Sequence, residues 1–245
     1  MVAIGGLDPG GGAGLVRDLM SGRALGAEVT LVGTAWTDQS PAGVRGFEPR
    51  SPASVAGAVG QAVADAAAVK IGMVGTPEVL AAILDGLASY PGPVVFDPVL
   101  GASSGGALFR GPAPQLLPLV RRATLTTPNL AEAAALTGSA VTGVEEAARA
   151  ARALVEAGAP AVLVKGGHLA GDATDVLVTT AGEERFTAPR IPGLSPRGTG
   201  CALATALAIE LGRGRGLSEA VAAAKGWLGE RIGEARAVGG EWQLP

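Results

Sequence analysis

Arg197-Gly198-Thr199-Gly200-Cys201 precedes an Ala-rich stretch of helical composition. Backbone N–H groups at the start of such a helix form an anion hole. The same field lowers the pKa of a thiol, so Cys201 is expected to be a thiolate near neutral pH, able to take a proton from a substrate hydroxyl. A small Cys packed behind glycines is the competing reading; the place directly after Gly-Thr-Gly argues against it. A second stretch, Gly5-Gly6-Leu7-Asp8-Pro9-Gly10-Gly11-Gly12-Ala13-Gly14, either lets the backbone approach a ligand closely or is a flexible turn. No Lys follows it, so it is not a P-loop. Asp18 lies about one helical turn beyond Gly14 and faces either a ligand or solvent. In Thr127-Pro128-Asn129-Leu130-Ala131-Glu132, Asn129 and Glu132 fit a helix capping box. They also fit a pair that directs Mg²⁺ or its waters toward phosphates. Lys165-Gly166-Gly167-His168 reads as a nucleotide-phosphate contact or a plain turn, and Asp97-Pro98-Val99 supplies one more carboxylate.

Composition removes other chemistries. The chain has 245 residues with one Cys and one His, so no internal disulfide and no Cys/His zinc site can form. A Ser-His-Asp hydrolase would have to use His168 alone. A formal charge of −3 argues against a general grip on nucleic acid. No apolar run approaches the roughly 18–20 residues that span a bilayer, and the first residues lack a signal peptide's basic and apolar segments. The expectation is a soluble cytosolic protein folded as one domain, with no nucleic-acid or membrane partner. Of the 19 basic residues only Lys70, Lys165 and Lys225 are lysines.

These residues need elements to position them. Short β-branched runs alternate with Ala/Leu-rich helical stretches. Strands are expected at 2–6, 28–36, 68–74, 93–99, 123–127 and 161–165. A hairpin is expected over 175–180 and 184–189. Helices are expected at 13–25, 54–67, from Thr76-Pro77-Glu78 onward, near 114–121, and at 129–136, 144–157, 200–212 and 218–235. Alternation with nearly continuous apolar strands predicts an α/β fold: a mostly parallel sheet covered by helices on both faces. In such sheets the site lies at the carboxyl ends of the strands. The segments there are 5–14, 37–39, 73–75, 97–105, 127–132, 166–168 and the stretch before Gly200.

Taken together and in order, these segments resemble the ribokinase-like superfamily, and most closely its hydroxymethylpyrimidine and phosphomethylpyrimidine kinases of thiamine synthesis. The matching stretches are Asp8-Pro9 with Gly11-Gly12-Ala13-Gly14, Asp18-Leu19, Ala24-Leu25-Gly26-Ala27, Gln39, Lys70-Ile71-Gly72-Met73 and Asp97-Pro98-Val99. They continue with Thr127-Pro128-Asn129-Leu130, Glu132-Ala133, Lys165-Gly166-Gly167-His168-Leu169, Arg185-Phe186-Thr187-Ala188-Pro189-Arg190 and Gly198-Thr199-Gly200-Cys201. The resemblance implies a three-layer ribokinase-like sandwich and an ATP- and Mg²⁺-dependent phosphorylation of 4-amino-5-hydroxymethyl-2-methylpyrimidine and its monophosphate. Cys201 would stand where the superfamily usually has a catalytic Asp, with Gly198, Thr199 and Gly200 offering amides to the transferring phosphoryl group. Gln39 would bond the pyrimidine, with Gly6, Ala13, Asp18, Met73 and Val99 around it. Asp97, Asn129 and Glu132 fall on the Mg²⁺–phosphate side, and Lys165 and Gly167 on the nucleotide side.

The chain departs from that pattern at Ser103, where the family usually has Lys, and at Arg197, where it usually has His. It also departs at Leu7 and at Gly239-Gly240-Glu241-Trp242. These changes lie around the acceptor phosphate. A pyridoxal-type kinase and a non-catalytic pyrimidine-binding protein are the alternatives. A homodimer is expected from the resemblance, and the hairpin near 175–189 would suit one.

Overall fold

The computed structural model describes residues 1–40, 43–102, 105–167, 171–238 and 240–245. His168 and Ser103 lie outside the described residues. Nine strands form one sheet in the order β3-β2-β1-β4-β5-β6-β7-β8-β9. They are β1 (Val2–Leu7), β2 (Thr30–Ser40), β3 (Gly43–Pro49), β4 (Val69–Ile71), β5 (Val94–Phe96), β6 (Leu125–Thr126), β7 (Ala161–Val164), β8 (Ala173–Thr179) and β9 (Gly182–Ala188). The centre, from β2 through β7, is parallel. Both edges are antiparallel, through β2–β3 on one side and β7–β8–β9 on the other.

Helices cover both faces, as the fully apolar central strands require. One layer holds α2 (Pro52–Val63), α3 (Pro77–Gly86), α4 (Leu117–Arg122), α5 (Leu130–Thr137) and α6 (Val144–Glu156). The larger apolar core lies beneath it, around Val59, Ile71, Ile83, Phe96, Leu119 and Leu154. The other layer holds α1 (Gly14–Ala24), α7 (Thr199–Gly212) and α8 (Leu217–Gly233). Every residue of α7 from Ala202 to Glu210 is buried. A helix that is apolar all round belongs inside, and its alanines let it pack against the sheet, α1 and α8 at once. The starts of α3 and α5 are those the sequence implies: Thr76 caps Val79, and Asn129 with Glu132 closes a full capping box.

The central strands β4, β5 and β6 are shorter than expected, and two further features differ in kind. β2 runs four residues further than 36 and turns back as β3, which ends at Pro49 on the sheet edge. A strand carrying Gly43, Gly46 and a terminal Pro has weak strand composition; pairing with β2 and burial of Phe47 hold it in place. The last helix stops at Gly233, and the chain continues as a small ribbon of β10 (Arg236–Val238) and β11 (Glu241–Gln243). The β8–β9 hairpin bears ion pairs on its surface, Arg185 with Glu145 and Glu183, and Arg152 with Glu183. The exposed large apolar side chains stand elsewhere, among them Leu31 and Trp36 on β2.

Candidate active site

The glycine loop after β1 and the start of α7 are pressed together. Gly198 adopts φ 78°, and a Cβ there would lie 2.2 Å from the Gly12 carbonyl oxygen. Only glycine fits that backbone and that approach. At Gly14, φ 58°, a Cβ would lie 2.4 Å from the Gly6 oxygen. Asp8, buried to 1% exposure, shapes the loop by accepting the N–H groups of Gly10 (2.9 Å) and Ala13 (3.1 Å). The Arg197 guanidinium lies 3.5 Å from Asp8 and 3.3 Å from Glu241 of β11.

Cys201 therefore faces the glycine loop, and its sulfur is within hydrogen-bonding reach of the Gly14 N–H. The expected thiolate is not what this environment favours. Although part of the residue reaches solvent, burial of the thiol, reinforced by Asp18 and Asp97, pushes its pKa up to about 11; Lys70 pulls the other way. Desolvation outweighs the helix field here, so Cys201 is a neutral thiol at pH 7. Asp18, expected at the pocket, is instead fully buried. Its carboxylate accepts both Lys70 Nζ (2.8 and 2.9 Å) and Thr205 Oγ1 (3.0 Å). Burial opposes charge on Lys70, but Asp18 and the neighbouring acidic groups hold it protonated. The result is a fixed cation behind Cys201.

On the expected phosphate side, Asp97 is 2% exposed and receives Lys165 Nζ at 2.6 Å. A Cβ on Gly200 would lie 3.3 Å from Lys165 Nζ and 3.6 Å from Asp97 Oδ2. Lys165, Asp97 and the α7 N-terminus thus converge. Asn129 lies beside Lys165 across a parallel bridge and caps α5 through Glu132. Burial raises the Glu132 carboxyl to about 7, Lys165 opposing and Asp97 adding to the rise. Thr199 opens α7, half-buried. Gly167 is exposed, and its carbonyl accepts Arg190 Nη1 at 2.7 Å.

On the expected acceptor side, a third apolar cluster unites Ala35, Phe47, Met73 and Leu108, with Val44, Val99 and Ala102 packed against it. A Cβ on Gly6 would lie 2.5 Å from Met73 Sδ, so Gly6 leaves room for that side chain. The guanidinium of Arg110 lies 4.3 Å from the Phe47 ring centroid. Gln39 is half-buried, just past a register shift in the β2–β3 pairing. By strand alternation it shares the inward side of Ala35 and Thr37. Ala13, half-buried, donates its N–H to Asp8.

The sequence reading gave no role to Arg17, Lys70 or Arg197's acidic partners. For Lys70 the available signal is the scarcity of lysine: each of the three lysines pairs with a largely buried Asp, Lys70 with Asp18, Lys165 with Asp97 and Lys225 with Asp175. Among the described residues no group of three or more His, Cys, Asp or Glu forms a metal cage. Two convergent carboxylates, Asp97 and Glu132, nevertheless suit Mg²⁺, which takes one or two carboxylates and completes its shell with water and substrate phosphates. Among the described residues no helix is long and apolar enough to cross a membrane.

Known structures share this architecture. The Bacillus subtilis pyridoxal kinase, solved as an ADP complex, superposes with a TM-score of 0.89 at 26% identity, over 99% of this chain and 95% of that one. A phosphomethylpyrimidine kinase from Clostridium difficile 630 superposes with a TM-score of 0.81 at 33% identity, over 94% and 98%. The fold is that of the ribokinase-like small-molecule kinases. A hydroxymethylpyrimidine/phosphomethylpyrimidine kinase of Rhizobium meliloti (strain 1021) is 46% identical over 244 residues, covering 96% of this chain and 90% of the relative. The corresponding Escherichia coli (strain K12) enzyme is 38% identical over 241 residues, covering 96% and 91%. The phosphomethylpyrimidine kinase family model matches residues 8–244, and the chain belongs to that family.

Proposed function

We propose that this protein transfers the γ-phosphoryl group of ATP to the hydroxymethyl group of 4-amino-5-hydroxymethyl-2-methylpyrimidine, and then to the resulting monophosphate, in thiamine synthesis. The observation that carries the reading is the start of α7. Gly198–Cys201 amides, a thiol, Lys165 and Asp97 converge where a glycine loop closes over them. Amides at a helix N-terminus stabilise charge developing on a transferring phosphoryl group. Cys201 would take the hydroxyl proton, with the Lys70 cation favouring the thiolate that does so. Asp97 and Glu132 would hold Mg²⁺, which when bound neutralises phosphate charge. Asn129, Lys165, Gly167 and Thr199 would face the nucleotide. Met73, Val99, Gly6, Ala13 and Gln39 would surround the ring, and Asp18 would act from behind through Lys70.

A second reading, a pyridoxal-type kinase, is favoured by the close superposition on the ADP-bound pyridoxal kinase. One assay separates them. Purified protein with ATP and Mg²⁺ is offered the pyrimidine alcohol, its monophosphate and pyridoxal. Phosphorylation of the first two is expected, with a Gln39→Ala variant weakening the pyrimidine and sparing pyridoxal. Turnover of pyridoxal alone overturns the pyrimidine assignment. Binding that stabilises the fold without ATP consumption would make this a non-catalytic binding protein.

A further inference from the structure

Lys225 is the one lysine outside the site described above. It lies on α8 one helical turn after the buried Val221, on the side of the helix that packs inward. Its ammonium meets an Asp175 oxygen on β8 at 2.6 Å, with the side chains only 12% and 7% exposed. The other Asp175 oxygen accepts the N–H of Gly166 at 2.8 Å.

Register explains why that bond matters. The β7–β8 ladder ends at the Val164–Val176 pair. One residue later, Lys165 gives its backbone N–H to the Pro128 carbonyl at 2.9 Å. Asp175 then catches the Gly166 N–H with its side chain, in place of the next backbone rung, and the chain leaves the sheet there. A buried ion pair contributes little net stability compared with apolar residues of the same volume. What it secures is orientation: with one oxygen fixed on Lys225, the other is fixed on Gly166. Gly166 joins Lys165, whose ammonium reaches Asp97 and the start of α7, to Gly167.

We propose that Asp175 and Lys225 are a positioning pair for the nucleotide: together they hold the Lys165–Gly167 segment where its side chain and amides meet the phosphates of ATP. The inference rests on the reading of that segment as the nucleotide side. The test measures kcat, the KM for ATP, the KM for the pyrimidine alcohol and Tm for Asp175→Asn, Lys225→Met, Lys225→Arg and Lys165→Ala. Asp175→Asn and Lys225→Met are expected to raise the KM for ATP about tenfold, the scale of one lost hydrogen bond to a charged group. They should leave the KM for the pyrimidine within about twofold, and Lys225→Arg should restore most of the loss. A purely structural pair would lower Tm and leave the KM for ATP unchanged. That result, with Lys165→Ala still raising the KM for ATP, overturns the positioning role and spares the nucleotide assignment. If Lys165→Ala also leaves it unchanged, the nucleotide assignment falls and the proposal falls with it. Should Lys225→Met fail to fold, Asp175→Asn carries the test, since it keeps an acceptor for Gly166 and drops only the charge.

Discussion

A thiol at about 11 is a poor base at rest. The thiolate fraction falls tenfold for each pH unit below that value, so at neutral pH only a small share of the protein is ready to take a proton. The kcat/KM for the pyrimidine reports groups on the free enzyme. It is therefore expected to climb with pH through the neutral and mildly alkaline range, with no plateau below about pH 10. Cys201→Asp supplies a carboxylate whose ordinary pKa is near 3.9. Even raised by the same burial, it should be ionised earlier and carry the rising limb to lower pH. Cys201→Ala should flatten the profile and cost about 10²–10⁴-fold, the usual share of a general base. Full activity in Cys201→Ala removes the thiol from the reaction. The sequence made this residue visible, because Gly-Thr-Gly-Cys before an apolar helix is a local pattern. It hid the state of the thiol, because Asp18, Asp97 and Lys70 come from three separate elements and desolvation has no local signature.

At the scale of the element, α5 shows how one residue can serve two ends. Glu132 closes the capping box of α5, a local role that sequence spacing announces. It is also buried near Asp97, and its carboxyl rises from 4.5 to about 7. The folded protein binds a proton there that the unfolded chain, between those two values, does not. Stability therefore falls as pH rises through that window, and the penalty persists above it, on the order of 1–3 kcal/mol. Glu132→Gln retains an acceptor for the Asn129 N–H and removes the charge. In Mg²⁺-free buffer its Tm relative to wild type should improve by a few degrees between pH 5 and pH 8. Phosphoryl transfer should meanwhile fall, because a neutral amide is a weak Mg²⁺ ligand. An equal Tm difference at both pH values would show that Glu132 carries no buried charge. The same contrast runs through the other elements. Thr76-Pro77 and the apolar run 161–164 are readable because caps and β-branched runs act over a few residues. β3 is not, because Phe47 becomes a core residue only once β2 lies beside it.

Across the whole molecule, residues 241–245 lie against α1 and beside the glycine loop. Arg17 on α1 is 2% exposed, and its guanidinium donates to the carbonyls of Leu244 (3.1 Å) and Pro245 (3.2 Å). Arg197 donates its backbone N–H to the Trp242 carbonyl and pairs with Glu241, while its other arm reaches Asp8. The β11 ribbon thus straps the start of α7 to the loop that shapes the expected acceptor side. No local pattern announced this, since the partners are more than 220 residues apart in the Arg17 contacts. Removing 241–245 would take both acceptors from the Arg17 guanidinium, a loss of about 1–3 kcal/mol, visible as a lower Tm. Glu241→Gln is the gentler probe, because it releases one arm of Arg197 and leaves the Arg17 contacts with Leu244 and Pro245 in place. It should change Tm little, raise the KM for the pyrimidine about two- to fivefold, and leave the KM for ATP alone, because Lys165 and Asp97 are held independently from β7 and β5. Iodoacetamide should alkylate Cys201 faster in the trimmed protein, since the strap that keeps the glycine loop against it is gone. A trimmed protein with wild-type Tm, pyrimidine KM and alkylation rate would mean that the ribbon merely rests on the loop.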